Sequence, residues 1–244
     1  MSGLLYTRYE LMRAFRNRRF FFFSLGFPLV LYFVIAGPQS NDHNFGGLGI
    51  SAALFYMAGL VSFGTMSSMI STRARIAGER QAGWTRQLRT TPLSTRAYFR
   101  AKVLTAYAMA ILTIAALYIS GAILGVSLAA GDWLEMTGLI LVGLLPFAAL
   151  GIALGHLLNV DSIGPAIGGI TAMLALVGGT WFPVNHGFLH DVGVCLPSYW
   201  LAQAGHVGTG GAPWGLTGWL VMAGWTIVLA ALAGYAYRRD TGRV

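Results

Sequence analysis

An all-α integral membrane protein with six spanning helices is the fold class that this sequence predicts, and three observations predict it. Of the 244 residues, 56% are hydrophobic and only 10% charged, with a mean hydropathy of +0.65, which is far too little charge for a soluble domain of this length. The apolar residues gather in stretches of about 20, the length that a hydrocarbon core of ~30 Å requires. All sixteen Lys and Arg fall in three blocks, Arg8–Arg19, Arg73–Lys102 and Arg238–Arg243. Cytoplasmic flanks of spanning helices collect such residues, so the three blocks are expected to share one side of the bilayer.

The elements follow in order. Residues 2–19 read as an amphipathic interfacial helix, because Leu4, Leu5, Tyr9, Leu11, Met12 and Phe15 fall within an arc of roughly 160° at 100° per residue. Arg8, Arg16 and Arg19 share that arc and can snorkel to lipid headgroups. Residues 20–37 carry no charge and form the first expected span. A signal peptide is disfavoured, since the amphipathic leader is long for a basic n-region and further spans follow. Those spans are expected at about 48–72, 103–128, 137–158, 163–182 and 215–237. The connections assigned to the outside hold Asp42, Asp132, Glu135 and Asp191 but no Lys or Arg. Six spans put both termini in the cytoplasm, and an odd number would move a basic block outside. Residues 183–214 form an irregular outer segment in which Leu196–Ala204 reads as a short helix lying at, or dipping into, the outer surface. No internal repeat or second domain is visible, so residues 1–244 read as one transmembrane domain.

Composition excludes several functions. A net charge of +8 invites a nucleic-acid reading, but the basic residues flank apolar spans, which favours anionic headgroups and a cytoplasmic partner. The single Cys195 permits no internal disulfide or cysteine metal cluster. No expected span core contains Asp, Glu, Lys or Arg, which argues against an ion-coupled carrier. The breaks at Gly26–Pro28, Pro146 and Gly164–Pro165 leave backbone-carbonyl ion sites open, with ordinary kinks as the simpler reading. A phosphate cradle of the GxxxxGK[ST] type is absent, so nucleotide hydrolysis is expected on another polypeptide. His186 and His190 have i, i+4 spacing beside Asp191, but no HExxH glutamate accompanies them, and they read as loop histidines. Serine catalysis lacks a GxSxG, and Tyr118 breaks the intramembrane motif around Ser120–Gly121. No cofactor or metal is expected in this chain.

The informative stretch is the hydrophilic segment 73–102. A short helix is expected over Glu79–Leu88, stopped by Thr90, Thr91 and Pro92, with a new helix starting at Ser94. Trp84 and Leu88, at i and i+4 on a basic helix, suit docking into a groove of a cytoplasmic subunit.

GERQAGWTRQLRTTPLS, followed by Lys102, resembles the ER-x-x-G…L…TPLS…K pattern between the second and third spans of ABC-2 type transporter permeases. Glu79, Arg80, Gly83, Leu88, Thr91, Pro92, Leu93, Ser94 and Lys102 match it, while Trp84 stands where threonine is common. Gly178–Pro183 resembles the family's GG-x-x-FP signature. The resemblance spans essentially the whole chain and implies the ABC-2, or type V, exporter fold in a bacterial cytoplasmic membrane. It implies a coupling helix within Arg75–Leu88, a separate ATP-binding subunit carrying ATP and Mg, and two permeases per transporter, identical or different. Glu79, Arg80, Gly83, Trp84, Leu88, Thr91 and Pro92 are the expected coupling residues. The nearest subgroup is the daunorubicin and multidrug-resistance permeases, which implies export of a hydrophobic or amphipathic drug, antibiotic or peptide. Export of a lipid-linked glycan or envelope lipid is the alternative, and an intramembrane enzyme is a more distant one. Phe27, Tyr32, Phe55, Tyr56, Met57 and Met66 are the candidate pathway residues.

Overall fold

The computed structural model describes residues 3–17, 21–40, 42, 44–45, 49–83, 94–182, 184, 187–210 and 213–241. Every regular element among them is helical. The axis of the bundle is α3 (Ala52–Gln81), which begins where Ser51 Oγ accepts from the Leu54 amide at 3.2 Å and so satisfies an orphan N–H of the first turn. Met57, Leu60, Met66, Met69 and Ile70 of α3 are buried because five helices surround it: α2 (Phe27–Ala36), α4 (Thr95–Ile123), α6 (Leu145–Leu157), α7 (Val160–Val177) and α9 (Pro197–His206). The remaining elements are α1 (Gly3–Arg16), α5 (Ala130–Gly143), α8 (Phe188–Val194) and α10 (Leu216–Thr241), the last packed chiefly on α6.

Five stretches among the described residues are long and apolar enough to cross a membrane, namely Ala52–Gln81, Ala97–Ile123, Ala130–Leu157, Val160–Val177 and Leu216–Arg239. The first apolar stretch forms a shorter helix, Ser24–Ala36. Its expected break at Gly26–Pro28 is a π turn, Phe22–Gly26, which accommodates the amide that Pro28 lacks. The second proline break bends the fourth stretch at Leu144, since Pro146 has no N–H to give the carbonyl four residues back. Hydroxyls inside the bundle turn to their own helices: Thr65 donates to Val61 O at 2.7 Å, Thr72 to Ser68 O at 2.7 Å and Thr113 to Met109 O at 3.0 Å. With no water in the hydrocarbon, that is the local way to satisfy them.

Several expected boundaries are corrected. Apolar sequence stops near Thr72, but α3 continues to Gln81, so Glu79 and Arg80 lie in its last turn instead of opening a separate helix. The stop comes from Gly83, whose φ of +69° puts it in the left-handed region that glycine adopts without steric cost. The helix start expected at Ser94 is there, with Ser94 Oγ accepting from the Ala97 amide at 3.2 Å, and α4 ends at Ile123, ahead of Gly125 at φ +85°. Residues 130–136 of the expected outer connection 129–136 are helical as well, with Asp132 in the first turn of α5, where the helix dipole favours an acid. The fifth stretch ends at Val177 because Gly179, at φ +70°, turns the chain.

The GG-x-x-FP match has a packing reason. A Cβ on Gly178 would sit 2.9 Å from Ser198 backbone atoms, so this glycine lets the end of α7 touch the first turn of α9. From there α9 runs back along α3: Ser62 Oγ donates to Leu201 O at 3.0 Å, and a Cβ on Gly205 would lie 2.6 Å from Ala58 O. Ser62 lies ten residues into α3, so α9 reaches ~15 Å below the start of α3. The segment therefore packs along α3 within the bundle. Tryptophan N–H groups hold it there: Trp200 donates to Val194 O at 2.9 Å, Trp225 to Cys195 O at 2.7 Å and Trp214 to Trp200 O at 2.8 Å.

Candidate coupling site

The described basic residues gather at one end of the bundle, on α1, the end of α3, the start of α4 and the end of α10. Ring contacts tie these elements together: Tyr6 to Tyr98 at 6.1 Å, Phe99 to Tyr237 at 5.1 Å and His156 to Tyr237 at 5.4 Å. This end holds a buried ion cluster. Lys102 Nζ, on a side chain 2% exposed, donates to Glu10 Oε2 at 2.9 Å and to Glu79 Oε1. Arg13 Nη1 reaches Glu79 Oε1 at 3.2 Å and Glu10 Oε1 at 4.0 Å from a half-exposed position. The Tyr98 hydroxyl donates to Glu79 Oε2 at 3.4 Å, and Lys102 Nζ lies 5.4 Å from the Tyr98 ring centroid.

Helical spacing brings these groups together. On α1, Tyr6, Glu10 and Ala14 recur at i, i+4, i+8 and form the buried face. On α4, Tyr98 and Lys102 repeat the same interval, so that Tyr6 meets Tyr98 and Glu10 meets Lys102 as the helices run side by side. The arc that the apolar pattern singled out faces the other way: Leu5, Tyr9, Met12 and Phe15 are 40–55% exposed.

Arg80, one residue after Glu79, points elsewhere. Its Nη1 donates to Gly155 O at 3.3 Å, a carbonyl that the last turn of α6 leaves without an intrahelical amide, and to Leu158 O at 3.5 Å just past the helix end. The final turn of α3 is thus attached through Glu79 to α1 and α4, and through Arg80 to α6.

Of the expected coupling residues, Glu79 is buried and directed inward, Arg80 is part-buried against α6 and Gly83 forms the turn. Trp84, Leu88, Thr91 and Pro92 lie outside the described residues. Among the candidate pathway residues, Tyr32, Phe55, Met57 and Met66 are at most 3% exposed and fill the chain's own interior. The Tyr32 hydroxyl donates to Ala53 O at 3.1 Å, and the Met57 sulfur sits against Gly121. Tyr56 packs edge-on against Phe55. Phe27 differs, being 42% exposed beside Phe63, which also meets Trp181.

At the opposite end, His206 stacks on Phe55 at 5.0 Å, and burial there pulls its imidazolium down to about 4. Of the histidine pair, His190 Nδ1 lies 3.1 Å from Val184 O, and His186 lies outside the described residues. No group of three potential metal ligands occurs among the described residues.

Sequence reasoning found Glu79 and Lys102 through the family pattern but missed Glu10 and Arg13 as their partners. The available signal was Glu10 itself, the only acid in α1, set opposite the apolar arc where an uncompensated carboxylate needs a cation.

A helical bundle with several helices long and apolar enough to cross a membrane, its described basic residues at one end and its N-terminal helix ion-paired to the central one, has the build of a multi-pass membrane protein. The sequence profile of the ABC-2 family transporter proteins matches residues 44–235. The chain is also 30% identical over 241 residues, 95% of each chain, to "Putative transport permease YvfS" of Bacillus subtilis (strain 168). The chain belongs to the ABC-2 transporter family and is a membrane permease subunit of an ABC transporter, a membership that implies an ATP-binding partner subunit.

Proposed function

We propose that this permease exports a hydrophobic or amphipathic small molecule across a bacterial cytoplasmic membrane, driven by ATP hydrolysis on the separate subunit, with six spans, both termini inside and two permease copies per transporter. The observation that carries the coupling part of this reading is the double attachment of the last turn of α3. Glu79 and Arg80 belong to the stretch Arg75–Leu88, which is expected to hold the coupling helix that docks on the ATP-binding subunit. A displacement applied there reaches α1 and α4 through Glu79, and α6 with its neighbour α10 through Arg80. ATP acts by binding differently to the two arrangements of this unit. Support for the cargo class comes from the charge distribution, with the ion cluster confined to one end of the bundle.

The test is reconstitution of the permease with its ATP-binding subunit in vesicles, with daunorubicin among a panel of fluorescent amphipathic cargoes. ATP alone should drive cargo accumulation, and a protonophore should leave it unchanged. Accumulation driven by an imposed proton or sodium gradient without ATP overturns the reading and directs attention to the breaks at Gly26–Pro28 and Gly164–Pro165.

A further inference from the structure

We propose that the outward face of α1 is a seat for anionic phospholipid of the leaflet at the basic end of the bundle, with Arg8 and Arg16 as its headgroup contacts. At 100° per residue, Leu5, Arg8, Tyr9, Met12, Phe15 and Arg16 occupy an arc of about 120°, and all six are exposed. The opposite face, Tyr6, Glu10 and Ala14, is the one held by α4 and Lys102. A cleft of about 520 Å³ runs along the outward side, lined by Thr7, Arg8, Leu11, Met12, Phe15 and Arg16.

Charge identifies the occupant. The outward arc joins four large apolar side chains to two cations, and the one carboxylate of α1 is buried on the other side, 6% exposed. Such a face suits the boundary between headgroups and acyl chains, where apolar side chains sink in and arginines meet phosphates. Water leaves the apolar groups exposed, and a zwitterionic surface gives the arginines no net attraction. Arg8 and Arg16 are ~12 Å apart along the axis, so they meet separate headgroups. Because α1 is also the helix that carries Glu10 to Lys102, the lipid that seats it sets the position of one arm of the ion cluster.

The experiment uses the full chain with Cys195→Ser and Met12→Cys, carrying bimane on the introduced thiol and reconstituted into nanodiscs. Brominated phosphatidylglycerol or brominated phosphatidylcholine is titrated into an unbrominated background. Half-maximal quenching should come at a mole fraction of the phosphatidylglycerol lower by up to about 25-fold. Arg8→Gln with Arg16→Gln should remove that preference, roughly five-fold for each arginine near a charged surface. Arg8→Lys with Arg16→Lys should keep it, since point charges suffice, and 1 M salt should abolish it, because screening shortens to ~3 Å. Equal half-points for the two lipids, or a preference that survives the glutamine pair, overturns the proposal. Quenching by neither lipid also overturns it, placing this face in water or against a second copy of the chain.

Discussion

Replacing Lys102 by Met tests whether the ion cluster is the fixed joint between α1, α3 and α4. Lys102 is 2% exposed and is ion-paired to two carboxylates, of which Glu79 is 2% and Glu10 6% exposed. At 2.9 Å and an effective dielectric near 20, one such contact is worth about 6 kcal/mol of Coulomb energy. Desolvation of several kcal/mol per ion offsets most of it, so the net stabilisation by the intact cluster is small. Removing Lys102 is different, because two buried carboxylates then share the half-exposed Arg13, at a cost of about 3–5 kcal/mol. Arg13→Gln, at a half-exposed site, should cost no more than about 1 kcal/mol. For a chain of this length ~1 kcal/mol corresponds to roughly 2–4 °C. The unfolding midpoint in detergent at fixed scan rate should therefore fall by roughly 6–20 °C for Lys102→Met and by no more than ~4 °C for Arg13→Gln. Adding Glu79→Gln to Lys102→Met should recover at least half of the loss, since Glu10 then keeps Arg13 as its cation. A Lys102→Met shift no larger than that of Arg13→Gln, or a double variant no better than the single one, would refute the reasoning.

Other consequences are open to direct test. Gly83 sits at φ +69° with nothing within 4 Å of an added Cβ, so Gly83→Ala should cost about 1–2 kcal/mol from backbone strain alone and keep transport. Gly83→Pro, locked near φ of about −65°, should redirect segment 84–93 and lower ATP-driven transport, and full transport by that variant would contradict coupling there. Cysteines placed at Ser40 and Thr209 should label from outside in intact cells, and one placed at Thr85 only after permeabilisation. Labelling at Thr85 without permeabilisation contradicts the six-span topology. His206 is held neutral in the fold down to about 4, whereas a solvated imidazole protonates near ~6.5. Protonation therefore favours the unfolded chain as pH falls from ~6.5 to ~4. Stability should drop over that window, and His206→Phe should flatten the drop. An unchanged slope in the phenylalanine variant would dissociate the effect from this residue.

Much of the fold was legible in the sequence because hydropathy and charge report directly on the bilayer. The long apolar helices were expected from those signals, but their ends were not. Hydropathy ends at Thr72, whereas the backbone stays helical to Gln81 because the polar and charged side chains there do not disfavour helix. Only Gly83 supplies a stop. The inward course of α9 was left undecided, since ten residues with partial apolar character suit a surface helix as well as a dipping one. Its packing along α3 is set by contacts at Gly178, Ser62 and Gly205, the last two with partners distant in sequence. The site was half legible for the same reason. Glu79 and Lys102 stand within one recognisable stretch, but Glu10 lies 92 residues from Lys102 and Arg13 lies 66 from Glu79. On α1 the strongest local pattern marks the face turned away from the protein, so apolar periodicity there says nothing of which residues meet α4.

Why a membrane protein keeps two carboxylates and a lysine buried at a helix junction follows from what apolar packing lacks there. Three helices meeting through aliphatic side chains alone can slide or rotate by small amounts at little cost, because dispersion contacts are individually weak and poorly directional. An ion cluster with bonds from Lys102 to both Glu10 and Glu79 has one good arrangement and a steep cost for leaving it. Glu79 and Arg80, about 100° apart around α3, then give the same turn a second directional attachment, at the carbonyl end of α6. Under the proposed coupling, a load arriving through Gly83 would meet a turn held by two directional attachments and would carry it together with α1, α4 and α6. Such rigidity suits the proposed role, since a compliant joint would absorb the displacement before it reached the spans.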